Sequence, residues 1–219
     1  VEELFNPLKK NKVSFFTGVP DSVLKNLLNY FNKLGNSKHI IAANEGSAIS
    51  IGIGYYLSTK KISCVYLQNS GLGNAVNPLM SIANKKVYSI PLLLIIGWRG
   101  SPNKKDEPQH VASGKITTRL LKLMDIDHCI LRNKKDLNIL DKLITTAYQT
   151  KKPVACLVEN DILKVTKKNR KSEKRSNFPY RKDFIIHLLK NISKNSKIIS
   201  TTGYTSRELY QIRREKNLF

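Results

Sequence analysis

Residues 65–78 read Val-Tyr-Leu-Gln-Asn-Ser-Gly-Leu-Gly-Asn-Ala-Val-Asn-Pro, and three kinds of local structure follow one another within them. The apolar run 62–67 has the length and composition of a buried strand. Gly71 and Gly73 then open a turn in which a ligand or another backbone can approach closely. Residues 72–83 continue with helical spacing. The same strand, turn and helix order recurs on both sides. Upstream, strands are predicted at 13–16 and 39–42, with helices at 21–34 and from Asn44, as N-cap, to about residue 57. Downstream, strands are predicted at 91–97, 129–131 and 153–159, and helices at 115–124 and 137–148. Strands separated by helices of roughly 10–15 residues imply βαβ units, hence an α/β fold with a mainly parallel sheet and helices on both faces. In such sheets ligands bind beyond the carboxyl ends of the strands. The turns after Phe16, Ala42, Leu67 and Gly97 are therefore the places to look.

Composition narrows the function classes. A chain of 219 residues is long enough for one full α/β domain and the start of another. Residues 1–163 form the expected first domain, the basic and almost apolar-free stretch 164–182 a linker, and residues 183–219 a helix, a strand at 197–200 and a helix near 206–213. Because the sequence opens on Val1 and closes on Phe219, a fragment or one part of a split enzyme is expected. No apolar run reaches the ~18–20 residues of a membrane helix. No signal peptide is visible; a cytoplasmic protein is expected because unpaired cysteines suit a reducing compartment. Cys64, Cys129 and Cys156 sit in apolar segments without a CxxC pair, which argues for buried thiols rather than a disulfide framework or zinc site. The net charge of +22 raises nucleic acid as a partner. The basic residues are mostly spread along the chain, however, and no nucleic-acid-binding motif accompanies them.

Each of the four turns carries chemistry-bearing residues. The first, Gly18-Val19-Pro20-Asp21-Ser22, offers Asp21 or Ser22 as a helix cap, and Asp21 also sits where a strand end would face a ligand. The second, Asn44-Glu45-Gly46-Ser47, places Glu45 in the first turn of a helix that is small or apolar nearly all round. A carboxylate there suits the helix macrodipole, and burial would favour a shared or retained proton. The third holds Asn69, Ser70 and Gly71. It is a weak match to a dinucleotide fingerprint, since Val76 stands at the third glycine position, and it lacks the lysine ending of a P-loop. The fourth runs from Gly97 to the predicted helix at Lys115 and contains Trp98, Arg99, Lys104, Lys105, Asp106, Glu107 and His110. A loop that long is functional or disordered.

Together the strings FFTGVPDS, IAANEGSA, VYLQNSGLGNAVNP, LLLIIGWRG, KDEPQH and STTGYTSRELY resemble, in order and along nearly the whole chain, the phosphonopyruvate decarboxylase family. More broadly they resemble the pyrimidine-binding domain of thiamine-diphosphate enzymes. The resemblance implies decarboxylation of 3-phosphonopyruvate to phosphonoacetaldehyde and carbon dioxide, a step of phosphonate biosynthesis. It implies that Glu45 hydrogen-bonds N1′ of the cofactor's aminopyrimidine, and that Asp21 and His110 act as proton donors or substrate contacts. Asn69, Ser70 and Gly71 would line the cofactor pocket by position. Arg99, Lys104 and Lys105 are expected from their charge to hold the substrate's anionic group, Arg through its planar fork.

The family's GDG…N motif for Mg2+ and diphosphate is absent. The resemblance therefore implies that a second domain, from a further copy or a partner subunit of an oligomer, completes the site and carries the metal ligands. Sulfopyruvate decarboxylase, whose subunits are split, is the rival within the same chemistry. An inactive regulatory module of the same fold and a basic nucleic-acid binder are the rivals outside it.

Overall fold

A computed structural model describes residues 2–102, 104–159, 162–163, 178–193, 195–201 and 203–216. The chain divides into two compact units, Val1–Thr166 and Lys167–Phe219. The first unit contains a six-stranded, all-parallel sheet of β1 (Phe16–Gly18), β2 (His39–Ile41), β3 (Cys64–Gln68), β4 (Leu93–Trp98), β5 (Asp127–Leu131) and β6 (Val154–Glu159), in the order β2-β1-β3-β4-β6-β5. The helices are α1 (Glu2–Lys10), α2 (Lys25–Phe31), α3 (Glu45–Thr59), α4 (Leu72–Pro78), α5 (Pro108–Leu123) and α6 (Leu137–Thr150). The architecture is the expected parallel α/β fold.

Alternation along the strands sorts the core into two layers. Cys64 and Tyr66 of β3, Leu93 and Ile95 of β4, and Val154, Cys156 and Val158 of β6 pack with Leu4, Leu27, Phe31, Leu140 and Ile144. Their neighbours Val65, Leu67, Leu94, Ile96, Ala155 and Leu157 pack on the opposite face with Ile49, Ile53, Leu72 and Leu121. All three cysteines are free and buried. Burial pushes the Cys64 thiol well above its ordinary range.

Several elements differ from the sequence reading. Helix α1 is not predicted by it; its buried stripe of Leu4, Phe5 and Leu8 is short, and Pro7 interrupts the pattern. Strand β1 begins at Phe16, and α2 begins at Lys25 rather than at residue 21 because Asp21 caps a preceding turn. The predicted helix 72–83 follows a 3-10 turn at Asn69–Gly71 and is divided into α4 and a wider turn at Leu79–Ala83. Helix α5 starts at Pro108, seven residues before the predicted Lys115, and so the loop after β4 is correspondingly shorter. Proline at the first helical position has a ready-made φ and no N–H to satisfy, which fixes that start.

In the second unit, α7 (Arg181–Asn191) and α8 (Tyr204–Glu215) pack through Ile185, Leu189 and Ile212, and Arg181 pairs with Glu208 at 2.5 Å. Residues 197–200 form no strand: Ile199 is 96% exposed, and no neighbouring strand is present among the described residues to take its hydrogen bonds. Most of the predicted linker, residues 164–177, lies outside the described residues, and α7 already includes Arg181 and Lys182.

Candidate active site

The sheet order sets a switch point between β1 and β3. From β1 the chain goes to β2 on one side, and from β3 it goes to β4 on the other. A crevice opens beyond the carboxyl ends of strands at such a point, and the turns that carry Asp21, Gln68, Asn69, Ser70 and Gly71 lie there.

Glu45 is the first residue of α3. Asn44 caps that helix, its side chain accepting from the Ser47 N–H at 2.9 Å, so the chain enters the helix with Glu45 in a fixed orientation. The Glu45 carboxylate crosses to the turn after β3. There Oε2 accepts from Asn74 Nδ2 at 2.9 Å, and a side chain on Gly71 would overlap Oε1, Cδ and Cγ. Oε1 has no hydrogen-bond partner among the described residues. The carboxylate is half-buried rather than enclosed as the apolar helix suggested.

Asp21 is 6% exposed and fully engaged. Its Oδ2 accepts from the Val23 and Leu24 N–H groups at 2.9 and 3.3 Å, and its Oδ1 from Gln68 Nε2 at 2.7 Å. Gly97 makes this possible, since a side chain there would overlap Asp21 Oδ2. Capping therefore falls to Asp21, whereas the Ser22 hydroxyl accepts from Arg99 Nη1 at 3.1 Å. Ser70 donates to Gln68 Oε1 at 2.7 Å. Asn69 ties the turn to β4 and α5: its amide donates to Arg99 O and Thr117 Oγ1 and accepts from the Arg99 N–H.

The loop after β4 is organised by its own charges. Arg99 forks onto Asp106 at 2.8 and 2.5 Å, and the Gly100 and Glu107 N–H groups donate to the same carboxylate at 2.8 Å each. These donors hold the Asp106 carboxyl well below the usual carboxylate range, the Arg99 bond contributing most, and Asp106 in turn raises the guanidinium's affinity for its proton. Lys104 faces the buried Glu159 at 3.6 Å, as does Arg132. Lys105 is exposed. Of the three cations expected to take an anion, two thus face carboxylates of the chain.

His110 lies in the first turn of α5, not on a long loop, and is half-buried. Gly100, at φ +67°, is pressed against its carbonyl and against Gly114. No hydrogen bond among the described residues joins the imidazole to Glu45 or Asp21. Gln68 and Asn74 are polar contacts that the sequence reading left out, and Asp106 was named there without its role as the partner of Arg99. Gln68 and Asn74 stand inside quoted strings, but amides carry no charge or periodic signal to single them out.

Solved structures that share this fold include thiamine-diphosphate enzymes. The 4-hydroxybenzoylformate decarboxylase of Rhodococcus jostii RHA1 superposes with a TM-score of 0.57 at 21% identity, covering 86% of this chain and 36% of that one. The benzoylformate decarboxylase of Polynucleobacter necessarius gives 0.54 at 19%, with the same coverages. The fold is that of the thiamine-diphosphate-binding enzymes. The chain belongs to the thiamine pyrophosphate enzyme family, with residues 1–121 matching its N-terminal TPP binding domain.

Among curated relatives, the phosphonopyruvate decarboxylase of Streptomyces viridochromogenes is 29% identical over 220 aligned residues, 91% of this chain and 54% of the relative. Sulfopyruvate decarboxylase subunit alpha of Methanococcus maripaludis is 36% identical over 127 residues, 58% of this chain and 74% of the relative. The chain spans about half the length of the phosphonopyruvate decarboxylases it matches. No helix among the described residues is long and apolar enough to cross a membrane.

Proposed function

We propose that this chain is the pyrimidine-binding half of a thiamine-diphosphate-dependent 2-oxoacid decarboxylase, acting on 3-phosphonopyruvate. The observation that carries this reading is the Glu45 carboxylate at the switch point. Asn74 holds one of its oxygens, and the other stands over Gly71 without a hydrogen-bond partner among the described residues. An acid so held fits the aminopyrimidine of thiamine diphosphate, to whose N1′ it would pass or share a proton. Asn69, Ser70 and Gly71 would form the wall against which the ring rests.

When bound, thiamine diphosphate supplies an electron sink for the carbon that loses carbon dioxide. The chain's own residues handle orientation and protons. Glu45 governs the proton at N1′. Asp21, fixed by three N–H donors, orients the substrate at the crevice. His110 is proposed as proton donor to the product. Lys105 supplies positive charge for the substrate's anionic group, joined by Arg99 and Lys104 where they exchange a carboxylate partner for the substrate.

The described residues hold no cluster of three His, Cys, Asp or Glu side chains able to bind a metal. Because the sequence carries no GDG…N motif, Mg2+ and diphosphate are assigned to a second domain, supplied by a further copy or a partner subunit. Residues 1–163 are the pyrimidine-binding domain in this reading, residues 164–182 the linker, and residues 183–219 the start of the diphosphate-binding domain.

The extent of the match supports phosphonopyruvate as substrate: it covers 91% of the chain, against 58% for the Methanococcus sulfopyruvate subunit. Sulfopyruvate is the second reading, favoured by the higher identity over the shared segment. The test is turnover of each 2-oxoacid by the enzyme assembled with a diphosphate-binding half and loaded with thiamine diphosphate and Mg2+. Release of phosphonoacetaldehyde is expected; turnover of sulfopyruvate alone would transfer the assignment to the second reading.

A further inference from the structure

Gln68 closes β3, adjacent to β1 at the switch point, and joins two turns that the proposed function gives different tasks. On one side its Nε2 donates to Asp21 Oδ1; on the other its Oε1 accepts from Ser70 Oγ, both at 2.7 Å. With Asp21 as a carboxylate, the opposite amide orientation would set Oε1 against Oδ1 as two acceptors face to face. The two backbone donors on Oδ2 remain fixed by the turn, which leaves Oδ1 as the oxygen that can change.

We propose that Gln68 is a positioning residue that keeps Asp21 hydrogen-bonded in both of its protonation states. When Asp21 is ionised, the amide N–H donates to it. When Oδ1 takes up a proton, its O–H must donate, and the amide turned end for end presents Oε1 to receive it. Nε2 then faces Ser70, whose hydroxyl accepts instead of donating. A hydroxyl can play either role, so the row Ser70–Gln68–Asp21 follows the proton without moving backbone. A glutamine does this because it carries donor and acceptor on one planar group; methionine of similar length carries neither, and glutamate repels the ionised acid. The inference rests on the reading that Asp21 acts at the substrate. Other charged or titratable groups face Asp21: Arg99 from the end of β4, and Lys25, His39 and Tyr66 around the adjoining cavity of about 350 Å³. They are common to every variant compared.

The test pairs a titration with kinetics. In the 219-residue chain, Asp21 is followed by 13C NMR against pH, its signal assigned with Asp21→Asn. In the assembled enzyme loaded with thiamine diphosphate, kcat and KM are measured against pH. Gln68→Met is expected to lower kcat about tenfold or more with KM changed by less than about threefold, and Gln68→Glu to raise the Asp21 midpoint and the acid limb of the rate profile together by about one pH unit. Gln68→Asn, shorter but with both functions, is expected to recover part of the loss. An Asp21 titration and kcat unchanged in Gln68→Met and Gln68→Glu would overturn the inference. If Asp21→Asn also kept full turnover, the underlying role of Asp21 would fall with it. If Asp21→Asn were inactive while the Gln68 variants behaved as wild type, only the inference about Gln68 would fall.

Discussion

Glu45 and Gly71 are in such close contact that the carboxylate occupies the space a side chain at residue 71 would need. The contact ties the start of α3 to the turn after β3, and a side chain at residue 71 would fit only if the carboxylate moved. Replacing Gly71 by alanine is expected to drive the Glu45 carboxylate out of place. Thiamine-diphosphate affinity, measured calorimetrically in the assembled enzyme, should fall about tenfold or more, a displacement of the kind that costs two orders of magnitude at a reacting centre. Unchanged affinity would mean that the carboxylate can stand elsewhere and still serve.

Asn74 is expected to act on the same acid from its other oxygen. Asn74→Ala removes the one hydrogen bond that orients Oε2. A bond to a charged group contributes about 1.5–3 kcal/mol when lost with its geometry, but this one is solvent-accessible, so the effect on folding should be under about 1 kcal/mol. The effect on turnover should be larger, and comparison of thermal midpoint with kcat separates the two.

Asp106 gives a pH prediction. Its carboxyl is held below the ordinary range in the folded chain, chiefly by Arg99. A depressed folded value means that the unfolded chain binds the proton more readily. The stabilisation is therefore complete above the unfolded value of ~3.9 and is lost as pH falls from there through the folded value. Asp106→Asn should be less stable than wild type at pH 7, and the gap in denaturant midpoint should close as pH falls below about 4. A gap that is constant down to pH 3 would contradict the ion pair.

His39 and Tyr66 form a buried hydrogen-bonded pair at 2.7 Å, made possible because Gly18 leaves room for the Tyr66 ring. Burial lowers the His39 pKa. For a base the sign is this: the unfolded chain takes up a proton below about pH 6.5 while the folded chain resists, so stability declines as pH falls from that value toward the folded one. Tyr66→Phe leaves the imidazole without its partner and should cost about 1–3 kcal/mol at pH 7 in a urea melt.

The parallel sheet was legible from strand-length apolar runs alternating with helices, because a strand buried on both faces leaves a continuous run such as 92–96. The four strand-end turns proposed to carry the site were legible as turns for the same reason, since a doubly covered sheet exposes only its strand ends. Local start signals were harder. Pro108 marks the beginning of α5 by the rule for first helical positions, yet the charged residues around it read as loop. Asp21 and Ser22 are both cap formers, and only the approach of Gly97 and Gln68 decides between them. That approach is a tertiary fact with no local signature. The strand expected at 197–200 illustrates the converse: an apolar run becomes a strand only where a neighbour pairs with it.

The role of Glu45 is tested most directly by the turnover of 3-phosphonopyruvate by the assembled, cofactor-loaded enzyme carrying Glu45→Gln. Glutamine keeps the size and one acceptor of the side chain but cannot exchange a proton with N1′. A loss of kcat of about 10²–10⁴-fold is expected, the range of a proton-transfer contribution, with the fold intact by circular dichroism. Turnover equal to wild type would remove Glu45 from the chemistry and contradict the assignment of this chain as the cofactor-activating half.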